Sequence, residues 1–149
     1  MPNYRWHIAA GVCSFVLLLS LVGFPDQALT AIQWLIWSIA GALFPDVDTT
    51  SRGQKIFYRF LFLPLIVLLL QGQWEFFILF TLLAFIPFLV RHRGIFHRSW
   101  FVIIFVSMLY IIGISAFPWL ESKMMLWNLI FFFIGVISHL LLDGLAKYL

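Results

Sequence analysis

The chain has 149 residues, of which 64% are hydrophobic and 10% charged, with a net charge of +3. A soluble domain carries about 45–50% apolar and about 25% charged residues, and a core this small cannot hide the excess from water. Soluble globular and disordered classes are therefore excluded, and lipid is the solvent the composition calls for.

Six apolar stretches follow in chain order: His7–Phe24, Ala28–Phe44, Ile56–Leu70, Trp74–Val90, Trp100–Pro118 and Leu126–Leu142. Each approaches the ~17–25 residues that a membrane helix needs. The third is the weakest, being short, with Arg59 near one end and Pro64 inside; a membrane helix tolerates such a proline where its neighbours re-satisfy the freed carbonyl. The first has Arg5 ahead of it, as a signal peptide would, but no small-x-small cleavage site follows and the stretch is long enough to span. The expected fold is all-α: one integral membrane domain over residues 1–149, a polytopic bundle of about six transmembrane helices. Ala9, Ala10, Gly11, Ser38, Ala40, Gly41 and Gly135 are small enough to let helices pack closely in lipid. The single cysteine, Cys13, forms no internal disulfide.

Six spans put Arg5, Arg52, Lys55, Arg59, Arg91, Arg93, Arg98 and Lys147 on one side and Lys123 on the other. By the positive-inside rule the crowded side is cytoplasmic, and both termini lie there. Trp6 and Trp100 then fall at the inner interface, and Trp74, Trp119 and Trp127 at the outer one, as aromatic belts.

The same topology sends all four histidines, His7, His92, His97 and His139, to the cytoplasmic side with Asp46, Asp48 and Asp143. His with Asp is a ligand set for zinc, manganese or iron. His7, at the head of the first helix, is by itself as well explained by snorkelling to the headgroups. Asp46 and Asp48 close the second helix, where the dipole disfavours a carboxylate unless a cation compensates; Asp48, Thr49 or Ser51 is also placed to cap the next helix. In the loop Arg91–Ser99, Gly94 permits a turn that brings His92 and His97 together. The three arginines there suit a phosphate, although the positive-inside bias needs no further reason for them. His139 and Asp143 are four apart and share one helix face. They are placed to hold one cation, or Asp143 to orient His139, or the two simply to hydrogen-bond at the interface.

These segments, in this order, carry a resemblance. His7, the run Gly41-Ala42-Leu43-Phe44-Pro45-Asp46-Val47-Asp48, the run His92-Arg93-Gly94-Ile95-Phe96-His97, and Ser138-His139-Leu140-Leu141-Leu142-Asp143 resemble the motifs of the bacterial membrane-bound metal-dependent hydrolases of the YdjM-like, LexA-regulated group. The likeness covers nearly the whole chain. It departs at Thr49, where the family often has histidine, and at Phe96-His97-Arg98, where Thr-His-Ser is usual.

The expectation is a hydrolase in the bacterial inner membrane whose site faces the cytoplasm and cleaves a phosphoester in a lipid or lipid-linked substrate. The expected ligands of one or two divalent metals, zinc first and then manganese or iron, are His7, Asp46, Asp48, His92, His97, His139 and Asp143. Asp48 is the candidate base, or an orienting group, and Arg93 the candidate catalytic arginine. Arg52, Arg93 and Arg98 are the candidate phosphate contacts. A bound divalent ion lowers the pKa of a water nucleophile towards ~7, and arginine neutralises charge building on phosphate oxygens. The alternative is a metal-binding or transport protein without hydrolysis; a third reading is a structural protein whose basic loops hold anionic lipid. No nucleic-acid partner is expected, since the basic residues are few and divided among loops.

Overall fold

A computed structural model describes residues 3–48, 50–89, 95–118 and 121–145. Among them the chain is all helical: α1 (Tyr4–Val22), α2 (Ala28–Leu43), α3 (Arg52–Leu70), α4 (Trp74–Leu89), α5 (Ser99–Ala116) and α6 (Ser122–Leu145). Two 3-10 turns, Phe44–Asp46 and Ile95–His97, follow α2 and precede α5. Four segments are long and apolar enough to cross a bilayer: Tyr4–Val22, Ala28–Asp46, Arg52–Leu70 and Ser122–Gly144; Trp74–Leu89 and Trp100–Ala116 are shorter. At ~1.5 Å per residue, the 16 residues of α4 reach about 24 Å, short of the ~30 Å hydrocarbon layer.

Four helices begin earlier than their apolar stretches, α3 and α6 by a full turn. The Ser51 hydroxyl accepts the Gln54 N–H at 3.1 Å and caps α3, so its first turn is the polar Arg52-Gly53-Gln54-Lys55. Capping satisfies amides that a helix start leaves open, and it makes α3 a full 19-residue helix with Pro64 inside. Likewise α6 begins at Ser122 and runs to Leu145, beyond both ends of Leu126–Leu142.

Small residues assemble the centre of the bundle. A Cβ on Gly41 would overlap the Phe132 carbonyl, and one on Gly135 would overlap the Ser38 carbonyl, so α2 and α6 meet backbone to backbone. Gly11 of α1 lies against Ser38 and Ala42, and the Ser38 hydroxyl donates to the Gly11 carbonyl at 2.9 Å. Without a hydrophobic force between helices in lipid, such close approach and the dispersion and hydrogen bonds it permits hold the helices together. Trp34 stacks on Phe131 at 4.8 Å in the half of this trio away from Phe44.

At the other end Phe44 packs on Phe96, Phe105 and Phe132, fastening the end of α2 to the 95–97 turn, α5 and α6. α3 and α4 form a pair in which the Tyr58 hydroxyl donates to the Ala84 carbonyl at 2.7 Å. Large apolar side chains such as Leu17, Leu29, Phe62, Leu82, Ile104 and Ile111 point outward and are exposed, the arrangement expected when the surroundings are hydrocarbon rather than water. α1 opens, α2 closes, α3 opens, α5 opens and α6 closes at one common end: a Cβ on Gly53 would meet Tyr4 and Leu43, and His7 lies on His139.

Candidate metal centre

Five side chains from four segments converge at that common end. His7 sits in the first turn of α1 and Asp46 ends the 3-10 turn after α2; His97 ends the turn before α5, and His139 and Asp143 share one face of α6. Local sequence explains each placement. Pro45 lacks the N–H needed to continue α2 as an α-helix, and the tighter turn swings Asp46 inward. The buried Gln54 amide then donates to the Val47 carbonyl at 2.9 Å, pinning the turn to α3. Spacing of four places His139 and Asp143 one above the other.

The geometry is that of donors gathered around a common point. His7 Nε2 lies 3.8 Å from Asp46 Oδ2 and 3.7 Å from Asp143 Oδ1. His97 Nε2 lies 3.9 Å from Asp46 Oδ1 and 3.7 Å from Asp143 Oδ2. His139 Nε2 lies 3.7 Å from Asp46 Oδ1 and 3.8 Å from Asp143 Oδ2. All six separations exceed the ~2.7–3.2 Å of a hydrogen bond. Donors each about 2.1 Å from one cation stand about 3.4 Å apart at the tetrahedral angle and about 4.2 Å apart when opposite; the observed range falls between. Two overlapping groups, His7–Asp46–His139 and His97–His139–Asp143, have ligand atoms close enough to hold an ion.

His139 is the most constrained member. It is fully buried, and its Nδ1 lies 2.7 Å from the Ala42 carbonyl. A carbonyl only accepts, so Nδ1 carries the proton and Nε2 presents a lone pair. That Nε2 has no hydrogen-bond partner among the described residues, yet it faces oxygens of two carboxylates. Lone pair against carboxylate is repulsive in a buried setting, and a cation between them reverses the sign. Ligating histidines characteristically donate their other N–H to a carbonyl in this way. Both aspartates also lie at the C-terminal ends of helices, whose dipoles oppose a carboxylate.

The model of the YdjM inner membrane protein family matches residues 1–148. The chain belongs to this family. No curated protein and no solved structure matches it. Membership and the outward apolar helices agree on a membrane protein, and the YdjM inner membrane protein family accounts for almost every residue of the chain.

Of the seven expected ligands, His7, Asp46, His97, His139 and Asp143 are brought together. Asp48 is half-buried in the turn beyond Asp46 and, among the described residues, belongs to neither three-residue group. The capping role open to it falls to Ser51. His92 and Arg93 lie outside the described residues, as do Arg91 and Thr49. Arg52 and Arg98 are exposed at the first turn of α3 and just before α5, at the same end as the cluster. Sequence reasoning missed Gln54 and the Ala42 carbonyl, which position Asp46 and His139. A glutamine in the opening turn of a membrane helix was a signal for the first; a main-chain carbonyl leaves none.

Proposed function

We propose that the chain is a divalent-metal-dependent hydrolase of the inner membrane, acting at the cytoplasmic face on a phosphoester of a lipid or lipid-linked substrate. The observation that carries this reading is the buried His139 Nε2, its tautomer set by Ala42, facing Asp46 and Asp143 at 3.7 and 3.8 Å. The donor set of three imidazoles and two carboxylates suits zinc, manganese or iron. A divalent ion held by His7, Asp46, His97, His139 and Asp143 would supply polarisation of a phosphoryl oxygen and a water nucleophile near neutral pH.

The residues of the chain supply the rest. Ala42 holds the His139 ring, and Gln54 holds the turn that presents Asp46, so the donors are set before substrate arrives. Asp48, two residues after Asp46, is the candidate to accept a proton from the attacking water. Arg52 and Arg98 supply positive charge for the phosphate oxygens at this end; Arg93, outside the described residues, is a further candidate from the sequence. Concentration of the five donors at one end of the bundle favours an enzyme over a transporter, whose ligands extend towards the membrane midplane and the far side.

A groove supports the lipid substrate. A cavity of about 650 Å³ runs between α2, α3, α4, α5 and α6, lined by Ile36, Phe44, Leu83, Phe96, Phe105 and other mostly apolar side chains. From Phe44 to Gln33 along α2 it extends about 16 Å at ~1.5 Å per residue, more than half the ~30 Å hydrocarbon core. Phe44 and Phe96 form its inner end, and they are close neighbours in sequence of Asp46 and His97. A phosphoester at the cluster thus has an apolar slot beside it for its hydrocarbon chain. The test is protein purified in mild detergent, assayed for metal by mass spectrometry and for phosphate release from a panel of phospholipids and isoprenyl phosphates, with and without EDTA. Bound metal, chelator-sensitive release, and loss of both in Asp46→Ala and His139→Ala are expected. Metal that persists in both variants, or release indifferent to EDTA, refutes the reading.

A further inference from the structure

The oxygens of the two aspartates are distributed in a pattern that one ion does not call for. Asp46 turns Oδ2 to His7 and Oδ1 to both His97 and His139. Asp143 repeats this with its own pair: Oδ1 faces His7, and Oδ2 faces both His97 and His139. Each carboxylate therefore divides its oxygens between the same two sets of nitrogens, His7 on one side and the other two imidazoles on the other. Around a single ion, one oxygen of each carboxylate would serve all three imidazoles. A carboxylate whose oxygens face different donors is arranged as a bridge.

The imidazoles add a second observation. The rings of His7 and His139 are stacked, with centroids 3.8 Å apart and planes inclined by 15°. An imidazole nitrogen offers one lone pair to one ion, and His139 has only Nε2 to give because Nδ1 is engaged by Ala42. Ions on stacked rings are separated by about the ring spacing, and ~3.5–4 Å is the spacing of two-metal hydrolytic sites.

Resting on the metal-centre reading above, we infer that the site holds two divalent cations bridged by both Asp46 and Asp143. One is bound by His7 with Asp46 Oδ2 and Asp143 Oδ1. The other is bound by His97 and His139 with the remaining two oxygens. Among the described residues the second set has four protein donors, whereas the first has three. Closed four-donor sites are structural, and three-donor sites keep a position for water or substrate. The His7 ion is accordingly the one that meets the phosphoester, and the His97–His139 ion fixes the bridging aspartates. Charge agrees with this division. One divalent ion only neutralises two carboxylates; a second leaves a net positive centre for an anionic substrate.

The experiment is metal counting with a spectroscopic readout. Full-length chain in mild detergent is stripped with EDTA, reloaded with Mn²⁺ and freed of excess. Metal per chain is then determined by mass spectrometry and the electron paramagnetic resonance spectrum recorded. The wild type is expected to hold two equivalents and to give an exchange-coupled spectrum. His7→Gln is expected to lose half the metal and to give the six-line spectrum of an isolated ion. One equivalent with a six-line spectrum in the wild type overturns the pair and leaves the metal centre standing; no bound metal overturns both. Two equivalents retained in His7→Gln overturn the assignment of His7. If that variant elutes as an aggregate, the wild-type count and spectrum decide alone.

Discussion

Asp143→Asn separates the electrostatic effects of the centre with almost no change of shape. Asp46 Oδ1 and Asp143 Oδ2 lie 3.7 and 3.8 Å from the same His139 nitrogen, so they stand no more than about 7.5 Å apart, the two distances laid end to end. Two like charges at that separation repel by roughly 2 kcal/mol at an effective dielectric of about 20. At pH 8, above the ordinary imidazole range, the imidazoles of the cluster no longer carry charge that offsets this repulsion in metal-free protein. Neutralising one partner should therefore stabilise the EDTA-treated protein by about 2 kcal/mol, or ~4–8 °C on the slope of a domain of this size. In protein loaded with zinc or manganese the same substitution removes a ligand, and its sign should reverse. A metal at 1,000 times its dissociation constant contributes about 4 kcal/mol, most of which the variant forfeits. Seven tryptophans make intrinsic fluorescence a convenient record of thermal unfolding in detergent. A substitution that destabilises both forms alike, or neither, refutes the idea that a cation reconciles these carboxylates.

Gly135→Ala and Gly41→Ala should each cost about 1–3 kcal/mol, because the added methyl meets a main-chain carbonyl that cannot yield. Gly144→Ala, with nothing within 4 Å of its Cβ, should leave the unfolding temperature within a degree or two; equal effects at all three sites would contradict the backbone contact of α2 and α6. Gln54→Ala frees the Val47 carbonyl and loosens the turn bearing Asp46. It should lower stability by about 1–3 kcal/mol and metal affinity by about 10–100-fold, measured by competition with a chelating dye, and unchanged affinity would remove Gln54 from the account of the site. Leu83→Trp narrows the apolar groove, so KM for long-chain phospholipids should rise while metal content and turnover of a short-chain analogue hold; an equal loss for both substrates would argue against the groove.

Much of the architecture was readable because lipid imposes a simple rule: long apolar stretches become helices, and the polar residues left over gather at the ends. Those stretches located all six helices among the described residues, and Gly11, Ser38, Gly41 and Gly135 were recognisable as packing residues from size alone. The true start of α3 was hidden because a cap and a polar first turn carry no apolar signal; Ser51 was one of three capping candidates, and only coordinates distinguish it from Asp48. At the centre, the residue types were legible in the sequence but their mutual orientation was not. His139 and Asp143 announce themselves by a spacing of four, whereas His7 meets His139 only because Gly11 lets α1 settle on Ser38 and Ala42. The division of carboxylate oxygens between His7 and the other two imidazoles depends on side-chain torsions that no spacing encodes.

X-ray absorption at the edge of the metal retained by gently purified protein tests the metal centre most directly. The account predicts a first shell of nitrogen and oxygen at about 2.0–2.2 Å, an outer-shell pattern characteristic of imidazole, and loss of that pattern in His139→Ala. A sulfur shell, or a shell of oxygen alone with no imidazole scattering, would contradict it.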